Sequence, residues 1–198
     1  HSDHVDGNIK LKEKYNSKVF GFINDKGRIP GIDILLKENQ KQKIGNLEFK
    51  VIFIPGHTKG HIAFYFDKEK IVFTGDTLFS SGCGRVFEGT HEDMFKSLNK
   101  LKNLPSETKV YCGHEYTKNN LDFCLKYDSK NSILKEKSVK ISSKLENKLP
   151  SIPTTIGEEL MTNIFLRCGD KDIKEALNLK GSPDHEIFTK LRDLKDAF

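Results

Sequence analysis

Three potential metal ligands fall within four residues at His1-Ser2-Asp3-His4. Three more follow at wide intervals: His57 in Pro55-Gly56-His57-Thr58, Asp76 in Thr74-Gly75-Asp76-Thr77 and His114 in Cys112-Gly113-His114-Glu115. Imidazole and carboxylate are the donors that borderline divalent cations prefer. A carboxylate has two oxygens with separate lone pairs, so an aspartate can bridge two cations. The chemistry open to such a set is hydrolysis, because a cation-bound water loses its proton near neutral pH and a cation polarises the group under attack. His91 and His185 lie in no comparable context and read as ordinary hydrogen-bonded or exposed residues. His61, four residues after His57, would share a helical face with it, but Gly60 and the strand-like run Ile62-Ala63-Phe64-Tyr65-Phe66 argue for extended chain. His61 therefore reads as a supporting or packing residue. Cys83 stands between two glycines without an evident base and is not read as a nucleophile.

The elements that must position these ligands are legible as apolar or β-branched runs ending at the ligand loops: Val51–Ile54 before His57, Ile71–Thr74 before Asp76 and Val110–Cys112 before His114. Further strands are expected at Lys18–Phe22, around a hairpin at Gly45-Asn46, and at Ile62–Phe66, which Asp67–Lys70 joins to the run at Ile71. Thr90 with Asp93 three residues on forms a capping box that opens a helix, closed before Pro105. Beyond residue 117 the pattern turns helical, with Leu121, Phe123, Cys124 and Tyr127, then Ile133, Leu134, Ile141 and Leu145 at helical spacing. Two more helices are expected at Glu158–Arg167 and Asp184–Ala197, the latter after Ser182-Pro183. Pattern alone gives an α+β protein with a helical C-terminal third.

The 198 residues are enough for one large domain or two small ones. With 36% hydrophobic and 31% charged residues, and no apolar stretch near the ~18 residues of a membrane span, no membrane role is expected. Net charge is +5, spread evenly: residues 1–117 carry 18 basic and 15 acidic side chains, residues 118–198 carry 15 and 13. That balance favours a local positive pocket for a small anion over a nucleic-acid surface. The four cysteines, Cys83, Cys112, Cys124 and Cys168, lack CxxC spacing and read as reduced thiols of a cytoplasmic protein, an organelle being the alternative.

His1-Ser2-Asp3-His4 resembles the second half of the Thr-His-x-His-x-Asp-His signature of the metallo-β-lactamase superfamily, and the later ligands fall in that superfamily's order. More narrowly, Phe73-Thr74-Gly75-Asp76-Thr77-Leu78-Phe79, Gly82-Cys83-Gly84-Arg85-Val86-Phe87-Glu88-Gly89-Thr90 and Tyr111-Cys112-Gly113-His114-Glu115-Tyr116-Thr117 are similar to glyoxalase II, the hydroxyacylglutathione hydrolase family. The resemblance implies an αββα sandwich, incomplete at its N-terminus, over residues 1–117, and a helical substrate-binding domain over residues 118–198. It implies two divalent cations, zinc ahead of iron or manganese. One is held by His1 and His57, the other by Asp3, His4 and His114, with Asp76 bridging. Asp3 and Asp76 are by the same resemblance the expected catalytic residues. The signature's first His and the strands ahead of it are not in the sequence, so the first position is expected to hold its cation weakly and this chain to turn over slowly.

The implied reaction is hydrolysis of S-D-lactoylglutathione and related 2-hydroxyacylglutathiones by a metal-bridging hydroxide. A thioester suits the site because the leaving thiolate has a conjugate acid of pKa about 8.5 and departs without a strongly placed general acid. Arg192 and Lys195, three apart on one helical face, match the family's Arg-x-x-Lys pair for the glycine carboxylate of glutathione. Arg85, Phe87 and Tyr116 fall on family positions that contact glutathione, Phe87 standing where many members have Tyr. Two alternatives share the scaffold: a persulfide dioxygenase, which has a Gly-Cys-Gly-Arg segment but lacks the long helical tail, and a nuclease, which also carries His-x-Asp-His. Oligomeric state is left open.

Overall fold

The computed structural model describes residues 1–198. Its centre is a six-stranded sheet in the order β10-β9-β6-β5-β4-β3, formed by β3 (Lys41–Ile44), β4 (Leu47–Phe53), β5 (Ile62–Phe66), β6 (Ile71–Gly75), β9 (Lys109–Cys112) and β10 (Thr154–Thr155). The β3–β4 hairpin turns at Gly45-Asn46 as expected, with Gly45 in the left-handed region at φ 58°, a conformation glycine adopts without a Cβ clash. β4 pairs antiparallel with β5, β5 antiparallel with β6, and β6 parallel with β9. Strands β4, β6 and β9 therefore run the same way, and their C-terminal ends share one edge of the sheet.

The two faces of the sheet are covered differently. One carries Ala63, Tyr65, Val72 and Val110 against Met94, Leu98 and Leu101 of α3 (His91–Lys102) and against the C-terminal helices. These helices are α4 (Thr117–Tyr127), α5 (Ser132–Glu146), α6 (Ile156–Thr162), α7 (Lys171–Ala176) and α8 (Asp184–Asp196). Residues from both sides of position 117 enter this one apolar core, Ile54 and Val72 with Leu121, Phe165 and Phe188. The other face carries Phe49, Val51 and Phe66 against Leu36 of a parallel pair, β1 (Phe20–Phe22) and β2 (Ile34–Leu36). Outside that pair, α2 (Asn8–Tyr15) is tied to the segment leading into β2 by Lys12, whose Nζ donates to Gly31 O at 2.6 Å and Asp33 Oδ1 at 2.8 Å. The layer order is thus helix, sheet, sheet, helix.

α3 opens with the capping box in both directions, Thr90 accepting from the Asp93 N–H and Asp93 from the Thr90 N–H. Two expectations are corrected. The first strand begins at Phe20 rather than Lys18. The helix expected over Glu158–Arg167 runs from Ile156 and stops at Thr162, because Asn163 turns to φ −88°, ψ 110° and sends its amide to the Gly82 carbonyl at 3.1 Å. α2, α7, the one-turn α1 (Ser2–Val5) and the short hairpin of β7 (Leu78–Phe79) and β8 (Gly82–Cys83) were not anticipated.

Candidate metal centre and substrate pocket

All six ligands expected from sequence meet at the shared edge. His57 follows β4, Asp76 follows β6, His114 follows β9, and α1 brings His1, Asp3 and His4 across them. Asp76 is the hub: its Oδ2 lies 3.2 Å from His4 Nε2, 3.2 Å from His114 Nε2 and 3.4 Å from His57 Nε2. Asp3 Oδ2 lies 3.3 Å from His114 Nε2 and 3.5 Å from His4 Nε2. His1 Nδ1 is 3.1 Å from His57 Nε2. Asp3, His4 and His114 present one donor atom each within 4.8 Å of one another.

The hydrogen bonds behind these atoms fit a cation. His57 Nδ1 is 2.8 Å from the Arg85 carbonyl, which can only accept, so Nδ1 carries a proton; in the neutral ring Nε2 is then a lone pair facing the Asp76 carboxylate and His1. Lone pairs so opposed repel unless a proton or a metal lies among them. Asp76 Oδ1 is buried with no hydrogen-bond partner, an anionic oxygen that lacks the donors its burial demands. Burial works against the Asp76 charge, yet hydrogen bonding to His57 and the charges of His4 and His114 hold its carboxyl down at about 2. Burial likewise opposes the charge on His57, but Asp76 and the Arg85 carbonyl raise its pKa overall. The donor set therefore suits divalent cations.

His61 takes the supporting role expected of it. Its Nε2 accepts the Asp76 backbone N–H at 3.0 Å, and Nδ1 points to the Ile62 carbonyl at 3.3 Å. Burial and the nearby His57 push it down to about 4, so it is a neutral acceptor that fixes the Asp76 loop. The loops also touch through bare backbone: Gly89 N–H donates to Gly56 O at 3.0 Å, and a Cβ on Gly56 would meet the Met94 Cα at 2.9 Å.

A cavity of about 600 Å³ opens from Asp3, Asp76 and His114 toward α8. The expected substrate residues Arg85, Phe87, Tyr116, Arg192 and Lys195 all line it. Tyr116 stacks on His114 at 5.0 Å between ring centroids, and Phe87 tilts against His57 at 5.2 Å. Lys195 sits over the rings of Phe198 and Phe123, and burial followed by repulsion from Arg192 pushes it down to about 8. Arg192 does not project from a solvated face. It is 2% exposed, and its guanidinium donates to Cys83 O at 2.7 Å and Asp196 Oδ1 at 2.9 Å, leaving Nε without a partner. Asp196, which also lies 3.4 Å from Arg85 Nε, was missed in the sequence, although its place four residues after Arg192 is an ion-pair signal. Cys83 is buried and its thiol is pushed up by that burial, which agrees with no nucleophilic role.

The metallo-beta-lactamase superfamily matches residues 1–114, and the hydroxyacylglutathione hydrolase C-terminus matches residues 115–198. A hydroxyacylglutathione hydrolase of Pelagibacter ubique (strain HTCC1062) is 54% identical over all 198 residues, which span 77% of that relative. The chain belongs to the hydroxyacylglutathione hydrolase family. A second member, from Chelativorans sp. (strain BNC1), is 48% identical over the whole chain and 78% of its own length. Among solved structures, ETHE1 from Myxococcus xanthus superposes with a TM-score of 0.62 at 25% identity, covering 100% of this chain and 73% of that one. TTHA1623 in a di-iron-bound form gives 0.56 at 27% identity over 84% of this chain and 73% of that one. As a member of this family the protein is a divalent-metal hydrolase, and the tail that set it apart from a persulfide dioxygenase is the part that matches the hydrolase C-terminus. No helix is long and apolar enough to cross a membrane.

Proposed function

We propose that the protein hydrolyses S-D-lactoylglutathione, and related 2-hydroxyacyl thioesters of glutathione, to glutathione and the hydroxy acid. The observation that carries this reading is that one cavity is lined both by the ligands His1, Asp3, His57, Asp76 and His114 and by Arg192 and Lys195. A thioester with a carboxylate remote from its reacting carbonyl suits both sets of residues at once. His1, His57 and Asp76 would hold one cation and Asp3, His4, His114 and Asp76 the second, zinc ahead of iron or manganese. When bound, such cations supply a Lewis acid for the carbonyl and an acidified water. The chain's own residues orient the parts: the Arg85 carbonyl fixes the tautomer of His57, His61 fixes the Asp76 loop, and Tyr116 and Phe87 wall the reacting end. Lys195 meets the carboxylate end, and Arg192 braces the wall beside it. Residues 1–117 are read as the metal domain and 118–198 as the substrate domain, and the four free thiols support a reducing, cytoplasmic setting.

The test is thiol release from S-D-lactoylglutathione by protein reconstituted separately with zinc, iron and manganese. Glutathione persulfide with oxygen uptake and a structured RNA serve as competing substrates. Faster turnover of either competitor than of the thioester would overturn the reading.

A further inference from the structure

The turn between β7 and β8 is held by side chains of the helical segment almost to the exclusion of its own. Four consecutive carbonyls each accept from a different side chain, two of them on α4, one at the end of α6 and one on α8. Ser80 O takes Asn120 Nδ2 at 3.1 Å, Ser81 O takes the Cys124 thiol at 3.1 Å, Gly82 O takes Asn163 Nδ2 at 3.1 Å and Cys83 O takes Arg192 at 2.7 Å. The one N–H that points the same way, that of Ser81, donates to Glu159 Oε2 at 2.7 Å. Ser81 sits at φ 57°, a left-handed conformation that costs a residue with a Cβ and persists only where surroundings impose it.

Glu159 is fully buried, and every acceptor site of its carboxylate is used. Oε1 takes Lys137 Nζ at 2.6 Å and Thr154 Oγ1 at 2.8 Å, and Oε2 takes Asn163 Nδ2 at 2.9 Å beside the Ser81 N–H. Lys137 is itself buried, so a charge pair lies inside the protein where an apolar pair would cost less. What the pair grips leads to the site. One residue past the turn, Gly84 N–H donates to Thr77 O, and the next carbonyl, of Arg85, receives His57 Nδ1.

We propose that Glu159, braced by Lys137, is a positioning residue for the hydrolysis: it fixes the turn at Ser81 and thereby places the Arg85 carbonyl that orients His57. The proposal rests on the hydrolase reading for its kinetic consequence only; its structural readouts require no substrate.

The variant that isolates the role is Glu159→Leu combined with Lys137→Met, which removes both charges and the acceptor of the Ser81 N–H together; Glu159→Gln alone strands a buried ammonium and is expected to unfold the helical segment. The double variant is expected to melt cooperatively, to exchange the Ser81 to Arg85 amides at least tenfold faster, and to bind zinc about 10- to 100-fold more weakly by chelator competition, the range of lost outer-shell partners. Its kcat/KM for S-D-lactoylglutathione falls by a similar factor. A folded double variant with wild-type zinc affinity and wild-type exchange at residues 81–85 overturns the proposal. Should the double variant not fold, the wild-type protein decides: the Ser81 amide is expected to exchange far more slowly than those of the open Gly45-Asn46 turn, and equal rates overturn the proposal. Zinc affinity and exchange that change as expected in a protein inactive on the thioester would retain Glu159 as a positioning residue and discard the substrate.

Discussion

Gly84 lies so close to Asp76 that a Cβ on it would fall 1.9 Å from the Asp76 carbonyl oxygen. The same position is 3.3 Å from His57 Nδ1, so a side chain there has no direction in which to yield. Gly84→Ala is therefore expected to push the Asp76 and His57 loops apart, costing about 1–3 kcal/mol of stability and on the order of 100-fold in kcat/KM through ligand displacement. Thermal melts and steady-state rates read both. An alanine variant with normal rate and normal zinc stoichiometry would show that this contact does not hold the site.

Asp76→Ala removes the hub that His4, His57 and His114 share. It is expected to lower bound metal below one per chain and to reduce turnover by more than the ~10–100-fold seen for outer-shell partners. Elemental analysis beside the thioesterase rate tests this; two retained metals would refute the shared-carboxylate assignment.

Arg192 and Lys195 are predicted to behave differently, though only three residues separate them. Arg192→Ala leaves buried carbonyls of Cys83 and Gly84 without their donor, so it lowers stability as well as raising KM. Lys195→Ala raises KM alone, by about 10- to 150-fold, if the lost charge-assisted contact is worth roughly 1.5–3 kcal/mol. Equal melting losses in the two variants would contradict the buried placement of Arg192.

Lys195 also predicts a pH profile. Burial and Arg192 lower its pKa to about 8, so in the free enzyme it is charged below that pH and neutral above it. Attraction for a substrate carboxylate is nearly complete at pH 7 and lost as pH rises through 8, so kcat/KM is expected to fall toward a tenfold loss per unit above it. The alkaline limb is expected to vanish in Lys195→Ala; a limb that survives there belongs to another group.

Asp196 holds the buried Arg192 at 2.9 Å and approaches Arg85, which lines the substrate cavity, at 3.4 Å, so its carboxylate competes with a substrate anion for the Arg85 cation. Asp196 is partly exposed and such pairs are worth up to about 1 kcal/mol. Asp196→Asn is expected to lower KM for the glutathione thioester by up to about fivefold without changing kcat. A raised KM would mean that Asp196 holds the two cations in their binding pose.

The ligand loops were legible because each follows a strand whose apolar run needs no long-range information: β4, β6 and β9 are recognisable from Val51, Ile71 and Val110 onward. The Thr90–Asp93 capping box was legible for the same local reason. What escaped was set by distant partners. Ile164, Phe165 and Leu166 continue a helical pattern, yet Asn163 leaves the helix because carbonyls some eighty residues earlier need its amide. α2 escaped because none of its residues is buried, so it carries no apolar stripe to find. The burial of Arg192 escaped because Arg-x-x-Lys spacing gives a common face, and not what that face meets.

The six ligand side chains come from four segments, residues 1–4 and the loops at His57, Asp76 and His114, that meet only in the finished fold; His4 and Asp76, in contact, stand 72 residues apart. An unfolded or half-folded chain therefore has no comparable place to keep a cation, and each bound ion draws the folding equilibrium toward the native state by mass action. Metal supply is then expected to act on how long the polypeptide survives as well as on how fast it works. In a cell starved of divalent cations, the empty protein would be lost to proteolysis ahead of the loaded one, so its abundance would itself report the cell's metal status.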